Sequence, residues 1–217
     1  MITKTAAVHA KAWKQVFDTF LVAHKSHELF DPVKDYDLYV DGKPRETGVR
    51  DFLAARHIPA DDRTVEQIAE QKDRLFLETI HKEGVQTYEG SIRYIEHARA
   101  AGLELAVVSS SKHTTEVLHA AHLEGLFDAQ MDGIIAEQEN LKGKPAPDTY
   151  LRAARMLNTK ASDAAVYKDA LAGVEAGRAG GFGLVVGVDR ANQAEALRKH
   201  GADIVVEDLA DLIATTA

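Results

Sequence analysis

The chain has 217 residues, 45% hydrophobic, 28% charged and only 6% aromatic, which suits one globular domain, or a core with a small insert, rich in helix rather than an all-β sandwich. A formal net charge of -8 and the lack of any long Lys/Arg cluster point away from nucleic acid and anionic membranes, which both need a basic footprint. The absence of cysteine excludes disulfides, thiolate metal sites and thiol catalysis; no apolar run approaches the ~18 residues of a membrane span and no signal core follows Met1-Ile2-Thr3-Lys4, so the expected location is cytoplasmic.

The first predicted element is a helix over about residues 5–24, because Ala12, Val16, Phe17, Phe20 and Leu21 recur at helical spacing. A turn-rich stretch follows, with Asp31-Pro32 and Asp41-Gly42-Lys43-Pro44. Helices are then expected over about 48–57 and 64–81, joined by a loop at Ile58-Pro59-Ala60. After Tyr88-Glu89-Gly90 the pattern changes. Helices at about 92–101, 113–122, 147–157, 171–179 and 191–200 alternate with short apolar strands at about 103–108, 131–136, 164–167, 184–188 and 204–206. Such alternation predicts βαβ units and a doubly wound parallel sheet. Runs such as Val107-Val108 and Val185-Val186 suit strands covered on both faces.

Ligands of doubly wound sheets bind beyond the carboxyl ends of the strands. Three places there carry chemistry. The first is Ser109-Ser110-Ser111-Lys112-His113. Hydroxyls and freed amides at a helix start can bind phosphate, although one serine serves equally as a plain helix cap. The second is Lys144, set between Gly143 and Pro145-Ala146-Pro147. It is either a phosphate-reaching cation in a rigid loop or an ordinary solvated lysine. The third is Asp169, followed by the small residues Ala170, Ala172, Gly173, Ala176 and Gly177. A carboxylate there can hold Mg²⁺ or cap the next helix.

Taken together, the order serine, lysine-proline, then aspartate with a Gly/Ala-rich helix resembles motifs two, three and four of the haloacid dehalogenase (HAD) superfamily, in its β-phosphoglucomutase-like branch. The resemblance covers nearly the whole chain. It implies a HAD-like α/β core made of residues 1–10 and 89–217 and a helical cap of residues 11–88. It implies transfer of a phosphoryl group of a small phosphorylated substrate, a sugar phosphate, through an aspartyl phosphate with Mg²⁺. Ser109 and Lys144 would hold the phosphoryl group, and Asp169 the metal. Ser110, Ser111, Lys112 and His113 would line the site. His9, Lys72 and Arg50 match cap-side positions that orient substrate and the acid/base group, Arg50 as the grip on a second phosphate.

Two departures stand out. The family's nucleophile and acid/base belong to a strand ending in Asp-x-Asp-Gly, and no such sequence occurs in these 217 residues. The first core strand is therefore expected to be missing, and the chain as given to be inactive. The family also has an acid directly before the fourth-motif aspartate, where this chain has Lys168. That ammonium is expected to oppose Mg²⁺. The competing expectation is a phosphosugar-binding protein without catalysis. A receiver-like signalling domain is a weaker third, set against by the large helical insert.

Overall fold

The computed structural model of the chain describes residues 1–26 and 28–213. It divides into two compact units, Lys4–Gln86 and Met1–Thr3 with Thr87–Ala217. Residues 214–217, expected to belong to the α/β region, lie outside the described residues, as does His27. No described helix is long and apolar enough to cross a membrane.

The first unit is helical: α1 (Thr5–Ala23), a π-helical turn (Tyr36–Val40), α2 (Arg45–Ala55) and α3 (Asp62–Glu83). Helix α3 is well bounded by its own sequence. The Asp61 carboxylate accepts from the Thr64 amide at its start, and Gly84 takes φ 71° at its end. His81 and Lys82 lie in the last turn, where cations oppose the negative end of the helix dipole. Its buried residues Val65, Ile68, Ala69, Lys72, Phe76 and Ile80 follow the three-and-four spacing of a single face. That face meets α1. The core centres on Phe17, whose ring lies 5.0 Å from Trp13, 5.1 Å from Phe30 and 4.2 Å from Phe52.

The second unit is α/β. After α4 (Glu89–Ala100) it runs β1 (Ala106–Val108), α5 (Thr114–Ala120), β2 (Ala129–Met131), α6 (Gly133–Gln138), α7 (Asp148–Met156), β3 (Ala165–Lys168), α8 (Leu171–Ala179), β4 (Leu184–Val188), α9 (Ala194–Lys199) and β5 (Ile204–Val206). Every strand pairing is parallel. They form two pieces, β1-β2 and β3-β4-β5, in registers such as Val107 to Gln130 and Tyr167 to Val186. The two pieces share one core, since Val108 packs against the cluster that holds Val166, Val174 and Val185. Helix α7 touches β1, β2 and α8, so it spans both pieces.

The α/β reading thus holds, with one element corrected. Residues 133–138 form a helix rather than the second half of a strand over 131–136. The Asp132 side chain accepts from the amides of both Ile134 and Ile135 at 3.0 Å, so it starts a helix at once. The apolar pair Ile134-Ile135 looked like strand because strand and buried helix cannot be told apart over so few residues.

Candidate functional site

In the α/β unit, Ser109 follows β1. Its amide donates to the Met131 carbonyl at 2.9 Å, which carries the β1–β2 ladder one residue past the strand. The chain then turns through a series of hydroxyls. The Ser109 Oγ accepts from the Ser111 amide and the Ser111 Oγ from the His113 amide, both at 3.1 Å. The Ser111 carbonyl accepts from the Thr114 hydroxyl at 3.0 Å. Ser110 belongs to the same turn, pressed so near Gly133 that a Cβ there would lie 2.7 Å from the Ser110 carbonyl oxygen. Lys112 is held by Glu137 at 2.7 Å, and His113 faces Glu116 at 3.3 Å. The serines therefore brace the turn that leads into α5, whose N-cap position is His113. Lys112 also has a structural partner.

Lys144 is not the solvated loop lysine that its neighbourhood allowed. It is 5% exposed, and its ammonium lies 4.9 Å from the centre of the Tyr150 ring, on α7, within reach of a cation–π interaction. Tyr150 is itself buried, and its hydroxyl has no hydrogen-bond partner among the described residues. Burial pushes the Tyr150 hydroxyl up to about 12. Lys168 acts to lower it and Asp169 to raise it.

Asp169 ends β3. Its carboxylate stands between two cations, the Met1 ammonium at 2.5 Å from Oδ2 and the Lys168 ammonium at 3.1 Å from Oδ1. Burial pushes the Asp169 carboxyl up, but Lys168 and the Met1 ammonium outweigh it and hold it well below the usual carboxylate range. Its backbone carbonyl accepts from the Gln193 side chain at 3.0 Å. Mg²⁺ needs several oxygen ligands in octahedral geometry. Among the described residues there is no group of three His, Cys, Asp or Glu side chains that could hold a metal ion, and each oxygen of Asp169 faces a positive charge. The residues present do not fit Mg²⁺.

The helical unit holds a second cluster. The His9 ring stacks on Phe76 at 4.1 Å. Lys72 is 5% exposed, with its ammonium 4.8 Å from the Phe76 ring and 5.5 Å from Trp13. Burial first, and Arg45 second, lower the Lys72 ammonium to about 7, with Glu46 acting against them. Asp73 is shared: Arg45 pairs with it directly, and Lys72 lies 3.6 Å away. Arg50 does not join this group. It is half exposed and pairs with Asp62, which is almost fully exposed. Arg45 is the arginine at Lys72, and sequence reasoning passed over it. The available signal was electrostatic. Arg45 is the first residue of α2, where a cation meets the positive end of the helix dipole, so its placement calls for an anionic neighbour.

The family described as haloacid dehalogenase-like hydrolase matches residues 2–181 of the chain. The chain belongs to this family. Within it, the chain is 45% identical to a β-phosphoglucomutase of Mycobacterium bovis, over 98% of this chain and 88% of that protein. A solved structure of a β-phosphoglucomutase from Clostridium difficile matches with TM-score 0.82 at 24% identity, covering 98% of this chain and 88% of that one. A HAD family hydrolase from Deinococcus radiodurans, solved with bound phosphate and sodium, matches with TM-score 0.67 at 26% identity, covering 97% and 88%. Family membership accounts for the parallel α/β architecture.

Proposed function

We propose that the chain belongs among the sugar-phosphate phosphotransferases of the β-phosphoglucomutase kind. The observation that carries this reading is the 45% identity to a protein of that name over nearly the full length of the chain. Phosphoryl transfer relies mainly on positioning and on charge stabilisation. In this reading the Ser109 hydroxyl donates to a phosphoryl oxygen, and the Lys144 ammonium offsets its charge. In the helical unit, Arg45 replaces Arg50 as the candidate anion-binding arginine, beside Lys72 and Asp73.

No Asp-x-Asp-Gly sequence occurs in residues 1–217, and the Lys168 ammonium lies 3.1 Å from Asp169 Oδ1. The chain as given is therefore expected to bind sugar phosphate without transferring its phosphoryl group. Strand β1 pairs with β2 and β3 with β4, while Val108 and Val166 share one core. In this reading a strand carrying the nucleophile would pair beside β1 or β3. The test compares the chain as given with a version preceded by such a strand, each assayed with β-glucose 1-phosphate and a panel of other sugar phosphates, with Mg²⁺ present. The expected result is no turnover by the first and turnover by the second. Turnover by the chain as given, abolished by Asp169→Asn, would overturn this, because a carboxylate already present would be the nucleophile.

A second reading, a phosphosugar-binding protein without chemistry, is favoured by the Lys168 ammonium standing on Asp169. Binding without turnover by the extended version decides for it.

A further inference from the structure

Lys144 is held twice, once through its backbone and once through its side chain. The loop that carries it is closed on itself and on α7. The Ala146 amide donates to the Gly143 carbonyl at 3.0 Å, and the Lys142 amide to the Asp148 carboxylate at 3.1 Å. These bonds fix where the Lys144 side chain leaves the backbone. That side chain then meets α7 again, with its ammonium 4.9 Å from the centre of the Tyr150 ring, a distance at which the face of a ring attracts a cation.

The ring is itself fixed by the core. Tyr150 is buried in the cluster that holds Ala154, Val166, Val174 and Val185. The Phe182 ring meets it edge-on, with centres 6.0 Å apart. Phe182 in turn is closed in by Gly180, where a Cβ would stand 2.8 Å from the Phe182 ring and 3.2 Å from Pro147. A core ring therefore sets the place of a lysine that the loop alone would leave to its own torsions. The Tyr150 hydroxyl adds nothing to this hold. It is buried with no hydrogen-bond partner among the described residues, which costs stability, so the ring is the part of the side chain that acts on Lys144.

We propose that Tyr150 is a positioning residue, whose ring holds the Lys144 ammonium in place for the phosphoryl group of a phosphate monoester and so sets the affinity of the α/β unit for such esters. The proposal rests on the reading of Lys144 as the cation that offsets the phosphoryl charge. A lysine carries its charge on a flexible four-carbon stem. Ordering such a side chain at the moment of binding costs affinity, and ordering it beforehand removes that cost. A ring face is suited to this task, because its quadrupole attracts the ammonium while the ring brings no net charge of its own. The lysine is ordered without being neutralised.

Titration calorimetry with glucose 6-phosphate tests it on the chain as given. Tyr150→Leu should weaken binding by at least about fivefold, or about 1 kcal/mol. Tyr150→Phe keeps the ring and should bind within about twofold of the wild type. In a Lys144→Met background, Tyr150→Leu should change binding by less than about twofold, because the group it acts through is gone. Fluorinated phenylalanines at 150 keep the shape of the ring and drain charge from its face, so affinity should fall with each added fluorine. This series carries the test if Tyr150→Leu does not fold. The proposal is overturned by Tyr150→Leu that binds like the wild type, by a loss of the same size with and without Lys144, by loss of binding in Tyr150→Phe, or by a flat fluorinated series. Lys144→Met separates the two levels. If it weakens binding and Tyr150→Leu does not, Lys144 stands as the phosphate cation and only the role of Tyr150 fails. If Lys144→Met binds like the wild type, the reading of Lys144 is itself wrong.

Discussion

Each unit of the molecule sets one carboxylate between two cations, and the two arrangements are built differently. In the helical unit Asp73 lies between Arg45 and Lys72, and Lys72 projects into the rings of Trp13 and Phe76. In the α/β unit Asp169 lies between Lys168 and the Met1 ammonium, and Lys168 rests on a glycine beside its partner acid. The aromatic surroundings leave the charge of Lys72 easily lost, with its ammonium lowered to about 7. Lys168 instead keeps an acid at hydrogen-bonding distance. Both places concentrate positive charge in a chain whose formal net charge is -8. That is the pattern expected of a protein that takes up anions at chosen points rather than over its surface.

The largest effect that would break the comparison belongs to Lys72. Its folded-state value of about 7 lies below the ordinary 10.5, so between those two values the unfolded chain binds more protons than the folded one. Stability should therefore rise with pH from about 7 towards 10.5, with the full penalty present below about 7. Lys72→Met should remove that rise and stabilise the helical unit by about 3 kcal/mol at pH 6. This figure takes about 1.4 kcal/mol for every tenfold loss of proton affinity and discounts the sum for relaxation around the charge. Urea unfolding of both proteins at pH 6 and 9 measures it. Parallel pH profiles would show that Lys72 stays charged in its aromatic surroundings.

Next comes Gly173→Ala, which attacks the other arrangement. The new methyl would collide with the Lys168 stem. An overpacking cost of about 1–3 kcal/mol should exceed the gain of about 1 kcal/mol from replacing a helical glycine. The net loss should appear as a lower urea midpoint. A midpoint at or above the wild type would mean that the lysine moves aside without cost.

The smallest effect sharpens the comparison rather than breaking it. Glu46 is the group that raises Lys72 against burial and Arg45, and it is partly exposed. Glu46→Gln should therefore lower the Lys72 titration midpoint further, by an amount equivalent to about 0.3–0.5 kcal/mol. An NMR titration of the lysine side chain reads it directly. A rise in the midpoint would mean that the electrostatic balance around Lys72 is set elsewhere.

The sequence shows the architecture more readily than the clusters. Alternating apolar runs and amphipathic segments after Tyr88 place the parallel strands, because strand burial leaves a local trace in each run. The π-helical turn at Tyr36–Val40 leaves no such trace, and Asp31 and Pro32 read as simple turn residues. The split of the sheet into β1-β2 and β3-β4-β5 is a matter of non-local pairing, which no window of residues reports. Ser109 and Asp169, directly after β1 and β3, and Lys144, in the loop before α7, could be picked out by position. The burial of Lys144 could not, because Tyr150 comes to it by tertiary packing of α7. Lys72 was legible in principle. It falls in step with Val65, Ile68, Ala69 and Phe76 on the buried stripe of α3, and a lysine on an apolar stripe calls for a reason. Arg50 drew attention as a candidate by likeness to family positions, whereas Arg45, five residues earlier, is the one tied to Lys72 through Asp73.

The central claim is that the α/β unit holds a phosphate site built on a buried lysine, Lys144. Phosphorus NMR of β-glucose 1-phosphate, titrated with the wild type and with Lys144→Met, tests it most directly. Methionine keeps the length and the contact with the Tyr150 ring while removing the charge, so folding should be preserved. The account predicts a saturable shift of the phosphate signal with the wild type and a loss of affinity of at least about tenfold, or about 1.4 kcal/mol, with the variant. Equal affinity of the two proteins for the ester would contradict it.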